Sequence, residues 1–237
     1  MFGLTPFISR IDLMQRIDDF YCLANSKKHS GRCIAGKIRL NSGDWVWIRP
    51  VGTTEGKEIT EQDRVYESGK TAQVFDVINI AVLKKDNHQF QKENVVIDNR
   101  HYWIKESTFD KSILKTLEDR PSTLWENGDS SYSGLNDRVD INILTHQRET
   151  LYLIQPQDLE FTVLAEGASF GDHKRSVRAH FSFNETKYSL KVTDPSIIER
   201  YLSMENGRYK DASVTHLTIS LGEPYKGHAY KLVAAAL

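Results

Sequence analysis

Residues 26–50 constrain the fold more than any other stretch. At their centre, Asn41, Ser42, Gly43 and Asp44 carry turn chemistry: glycine accepts positive φ, and Asn and Asp bond their own backbone. The flanks alternate. Ile34, Ile38 and Leu40 share one parity, and Lys37 and Arg39 the other. After the turn, Val46 and Ile48 point one way, and Trp45, Trp47 and Arg49 the other. The pattern predicts a β-hairpin with an aliphatic face and a face of cations and indoles. Such a face attracts phosphate and stacks bases. An ordinary half-solvated hairpin has the same pattern.

More strands follow along the chain. Residues 73–83 are almost continuously apolar and β-branched, the mark of a strand buried on both sides. Residues 94–104 read as a second hairpin, turning at Asp98 and Asn99. Ile113, Leu114 and Leu117 have helical spacing, and Pro121 stops that helix. In the second half, strands are expected over 150–154, 159–164, 187–192, 215–221 and 230–237. A turn at Asn184 and Glu185 and a short helix over 196–204 interrupt them. Residues 122–148, rich in Ser, Asn, Asp and Gly, read as a linker in which the Trp125 indole still needs a packing partner. Residues 1–19 read as an N-terminal extension with a short helical pattern.

The 237 residues suffice for two small domains with their own cores, and 39% hydrophobic and 27% charged residues describe a globular chain. The net charge of −1 supplies no global basic field, so any nucleic-acid binding must come from local clusters. No stretch reaches the roughly 18 apolar residues of a membrane span. The first ten residues lack the plan of a signal peptide. Cys22 and Cys33 have no CxxC spacing and no paired histidines, which points to a reduced, cytoplasmic setting and no metal site.

The halves echo each other. Each has a basic loop, Lys27, Lys28 and His29 in the first, His173, Lys174 and Arg175 in the second. Each continues through an arginine, Arg32 or Arg178, into strand, turn and strand, and then a proline, Pro50 or Pro195. The expected architecture is mainly β: two OB-like small barrels in tandem with one or two short helices, over 20–121 and 149–237.

Several stretches resemble the dual OB-containing domain family of bacteria and archaea. They are residues 22–36, 47–51, 75–78, 124–128, 192–195, 219–224 and 230–235. The resemblance spans about residues 20–237. It implies tandem OB-like barrels and a nucleic-acid-binding role in microbial genome-conflict or DNA-handling systems.

Ser26, Lys27, Lys28, His29 and Arg32 form a candidate phosphate site, with backbone N–H groups near Gly31 as further donors. Trp47 and Arg49 extend it along the hairpin, and Lys174, Arg175 and Arg178 are the counterparts in the second half. No Walker A, GxGxxG, HExxH or paired-carboxylate spacing occurs, and no cofactor or metal is called for. The reading is a non-enzymatic module for single-stranded DNA or RNA, or another phosphate-bearing ligand. An enzyme acting on a nucleotide or nucleic acid through the 26–33 loop, with His29, Cys33 or an acid meeting the cations, and a protein-interaction adaptor for protein partners from the same operon are the alternatives.

Overall fold

The computed structural model describes residues 15–28, 30–144 and 149–237. The chain divides into two compact units, Met1–Ile113 and Leu114–Leu237, eight residues earlier than the expected end of the first barrel at 121.

The first unit is a closed five-stranded barrel. Strands β1 (Arg16–Lys28), β2 (Gly31–Arg39), β3 (Trp45–Val51), β4 (Asp76–Lys85) and β5 (Asn94–Ile97) run in the order β1-β2-β3-β5-β4, and β4 returns to β1. Only the β3–β5 pairing is parallel. Closure requires β1 to bend. Its first part pairs with β4 and its second with β2, and the register slips between Cys22 and Ala24. Gly36 lies opposite. A Cβ there would sit 2.1 Å from the Tyr21 carbonyl oxygen, so only glycine admits this approach.

The central hairpin forms in the expected register, with Arg39 opposite Trp45. The Leu40 N–H donates to the Asp44 carbonyl at 2.8 Å, and Gly43 takes φ 94°. Ile34, Ile38 and Ile48 enter a core with Phe20, Ile80 and Trp103. Residues 94–104 are not a hairpin. β5 and β6 (Ile104–Thr108) both pair with β4, one on each half of that ten-residue strand. Of the extension 1–19, residues 16–19 are strand rather than helix, because they close the barrel against β4; residues 1–14 lie outside the described residues.

The second unit repeats this order. After helix α1 (Leu114–Leu117) and strand β7 (Arg138–Asp140) come β8 (Leu151–Ile154), β9 (Gln157–Leu164), β10 (Ser176–Phe183) and β11 (Thr186–Val192). Helix α2 (Pro195–Leu202), β12 (Gly207–Lys210), β13 (Leu217–Leu221) and β14 (His228–Ala236) complete it. The sheet runs β12-β9-β10-β11-β14-β13-β8, with β11 parallel to β14. β8 and β9 are two halves of one strand. Pro156, which has no N–H to donate to a ladder, lies at the break between them. Asn184 and Glu185 both take positive φ, 45° and 64°, as a two-residue hairpin turn requires. Asp194 caps α2, accepting from the Ser196 and Ile197 N–H groups, with Pro195 in the first turn.

Residues 122–144 are no linker; residues 145–148 lie outside the described residues. β11 and β14 pair only at Lys191–Leu232 and Val192–Val233, and this segment fills the gap where they part. Leu135 exchanges two backbone hydrogen bonds with Ser189, and β7 pairs with the start of β14. The Trp125 indole is buried and donates to the Glu149 carbonyl at 2.8 Å. The polar composition that reads as a linker serves turns and side-chain hydrogen bonds instead.

Lys231 anchors the same segment from β14. It is 1% exposed, donates to the Glu126 carbonyl at 2.7 Å and Asn127 Oδ1 at 2.9 Å, and lies over the Tyr188 ring. Burial pushes its pKa down to about 7, against an ordinary 10.5. The unfolded chain therefore holds more protons across that window, and stability rises with pH there, by at most about 1.4 kcal/mol per unit. Denaturant titrations at pH 7 and pH 9 should show this gain in the wild type and a smaller one in Lys231→Met. Equal gains would mean that the ammonium stays charged throughout.

Candidate nucleic-acid interface

The first basic loop is mostly strand. Lys27 and Lys28 end β1 and face Arg32 and Gly31 of β2. Ser26 is buried, and its hydroxyl donates to the Cys33 carbonyl. Lys27 is exposed, Lys28 is half-buried, and His29 lies outside the described residues. The Arg32 N–H donates to the Ile59 carbonyl at 2.8 Å, so that amide is not available to an oxyanion. The Arg32 guanidinium meets Glu61 at 3.0 Å, and Arg64 binds the same carboxylate. Burial raises the Glu61 pKa, but the two arginines together hold it below the ordinary carboxylate value.

The cation-and-indole face of the hairpin has the expected parity but is open in cations only at Arg39, beside the turn. Lys37 is 2% exposed, with its ammonium 5.0 Å from the centre of the half-buried Trp47 ring. Arg49 is 3% exposed and paired with Glu93 at 3.0 Å. Burial pushes the Cys22 thiol up to about 12, which makes it a poor nucleophile; Cys33 is half-buried. A cleft of about 780 Å³ in this unit is lined by Tyr66, Lys70, Gln73, Asp76, Lys105 and their neighbours, and neither Ser26 nor Cys33 is among its lining residues.

In the second unit, two of the three expected cations hold the fold. Arg175 donates to the Leu202 carbonyl at 3.1 Å, to the Met204 carbonyl, and to Asn206 Oδ1 at 2.8 Å, capping the end of α2. Arg178, 7% exposed at its side chain, grips both oxygens of Glu166 at 2.6 and 3.0 Å. It also donates to the Ser189 carbonyl at 2.9 Å and approaches Asp137 at 3.4 Å. Although burial pushes the Glu166 pKa up, the Arg178 hydrogen bonds and charge bring it below the usual range. Lys174 alone of the three is exposed.

Besides Lys27 and Lys174, a larger run of open charge lies where the sequence predicts no site. The outward parity of β12, β9, β10 and β11 forms a band across four strands. Arg208 and Lys210 stand opposite Thr162 and Glu160, and Lys187 and Lys191 opposite Ser182 and Arg178. All four of these cations are exposed; Glu160 takes Arg208 at 3.2 Å and Lys210 at 3.7 Å. His180, in the same band, meets the Thr162 hydroxyl at 2.8 Å. Its burial, then the Arg208 and Arg178 charges, push its pKa down, which leaves the ring neutral at pH 7. The alternation of Lys187, Ser189 and Lys191 is the sequence signal for this band.

The loops beside the band carry exposed rings: Phe170 between β9 and β10, Tyr132 in the segment that fills the gap, and Tyr225 between β13 and β14. In OB barrels the face of the second and third strands and the loops after the first and fourth strands bind oligonucleotides or oligosaccharides. Among the described residues, no group of three or more His, Cys, Asp or Glu side chains is placed to hold a metal ion. No helix among them is long and apolar enough to cross a membrane.

Two barrels of the same strand order define a tandem OB-fold protein. The profile of the Dual OB-containing domain matches residues 19–236, and the chain belongs to that family. Among solved structures, a replication protein A heterotrimer bound to single-stranded DNA is similar at 14% identity and a TM-score of 0.31. That similarity covers 96% of this chain and 49% of the other, so this chain spans about half the length of that one. No curated protein matches.

Breaking the Arg178 cluster takes the shared guanidinium from the buried Asp137, which keeps its Ser131 hydrogen bonds, and from the part-buried Glu166. Arg178→Met should cost roughly 3–5 kcal/mol in denaturant unfolding. Arg32→Ala, at a half-solvated pair, should cost under about 1 kcal/mol. A small loss at Arg178 would contradict its placement as an internal clamp.

Proposed function

We propose that the chain is a non-enzymatic nucleic-acid-binding module, and that its second barrel carries the main contact. The observation behind this reading is the exposed band of Lys187, Lys191, Arg208 and Lys210 on the face that OB barrels use for ligands. Lys174 extends the band along its loop; Lys27 and Lys28 give the first barrel a smaller contact of its own. Arg49, Arg175 and Arg178 serve this reading only by holding loops and a helix end in place. The ligand is a single strand of DNA or RNA, and the setting is a cytoplasmic microbial DNA-handling or genome-conflict system, as the family resemblance implies.

With about four phosphates contacted at roughly −0.7 each, log K should fall against log salt with a slope of about −3. Lys187→Glu with Lys191→Glu should weaken binding of a labelled oligothymidine about tenfold or more and flatten that slope. Affinity that ignores both salt and charge reversal would remove the reading. The adaptor alternative has one observation in its favour: Leu83, Tyr102 and Ile104 of the first unit are each about half exposed. It gains if the charge-reversed protein still binds oligothymidine at wild-type strength.

A further inference from the structure

Tyr132 and Phe170 meet edge to face, their ring centres 5.1 Å apart and their planes at 72°. They remain 74% and 73% exposed. A phenylalanine has no polar atom to offer water, so a ring kept three-quarters in solvent has no account in the packing of this unit.

The backbone beneath both rings is ordered. Phe170 ends a 3-10 turn, its N–H donating to the Gly167 carbonyl at 2.8 Å, and Gly171 closes that turn at φ 80°. Tyr132 follows Ser131, whose N–H donates to Asp137 Oδ1 at 2.7 Å. Arg178 joins the two supports, since it holds Glu166 at the base of one loop and Asp137 at the base of the other. Lys191 stands opposite Arg178 in the register, so the rings border the cationic band.

We infer that the Tyr132–Phe170 pair is a stacking site for an unpaired nucleobase, an inference that rests on the nucleic-acid reading above and names the feature that selects single strands. An edge-to-face pair leaves a ring face open, with a second ring to flank whatever lies on it. Bases in a duplex are already stacked on one another, whereas a single strand can turn one out onto an aromatic face. Arg178 is a positioning residue: it touches no ligand and fixes the spacing of the loops that bear the rings.

The test is fluorescence anisotropy with labelled oligothymidine and a labelled duplex. It compares the wild type with Phe170→Ala, Tyr132→Ala, Phe170→Trp and the charge-reversed Lys187→Glu, Lys191→Glu protein. Both rings are exposed, so thermal unfolding of the ring variants should match the wild type. Each alanine should weaken oligothymidine binding roughly tenfold and leave duplex binding and the salt slope unchanged, whereas Phe170→Trp, which keeps an aromatic face at that position, should bind oligothymidine like the wild type. If the alanine variants bind oligothymidine like the wild type while charge reversal weakens it, the stacking site is overturned and the nucleic-acid reading survives. If the wild type does not bind, or charge reversal changes nothing, the underlying reading falls and the stacking site falls with it. Loss of duplex and single-strand binding in equal measure would also overturn base stacking.

Discussion

One buried guanidinium organises the outer side of the second barrel where two of its loops meet. Arg178 brings Glu166 and Asp137 to a common centre and so sets the distance between two loops that the strand ladders alone leave independent. Ion pairs taken out of water gain little net stability, because desolvation offsets most of the attraction. What such a pair fixes is geometry: each carboxylate must stay where the guanidinium can reach it, or remain buried and unpaired. The first barrel uses the same device more simply, with Arg49 holding Glu93 in the connection that leads into β5. In both barrels, an outward-pointing strand arginine is buried against an acid from a neighbouring connection, Arg49 against Glu93 and Arg178 against Glu166.

The two barrels share a strand order and differ in how their first strand turns the corner. In the first, a slipped register at Cys22 and Ala24 and the missing Cβ of Gly36 let one continuous strand serve two neighbours. In the second, the strand breaks at Gln155 and Pro156. There β11 and β14 touch over two residue pairs, and residues 122–144 occupy the space between them. That repair brings Tyr132 beside Phe170. The candidate stacking site is therefore a consequence of barrel irregularity, and the more regular first barrel has no equivalent segment among its described residues.

Period-two alternation made the central hairpin, its register and the parity of its side chains legible, since a one-residue slip would have turned every aliphatic side chain outward. Parity was less informative about exposure. Arg49 and Arg178 do point away from the barrel interior, but the acids that enclose Arg178 lie 12 and 41 residues away and approach it only through the fold. Residues 122–148 misled for a related reason, because turn-rich polar sequence looks alike whether it is solvated or fitted into a gap. An aromatic ring inside such a run is an ambiguous signal. Trp125 sinks into the unit and finds a hydrogen-bond partner, whereas Tyr132, seven residues on, stays in water. Only coordinates separate the two.

The near-neutral charge of the whole chain bears on how such a surface would work. A net charge of −1 gives no long-range pull on a polyanion, and at physiological salt the field of a few lysines fades within about 8 Å. Part of the band's own charge is spent on Glu160. Phosphate contact alone would then give weak, salt-sensitive binding with no distinction between single strands and duplexes. Stacking on rings held open beside the band, as proposed, would supply a short-range term that does not decay with salt and that a paired base cannot use. On a surface this modestly charged, that term would decide, under the function proposed above, which form of nucleic acid is retained.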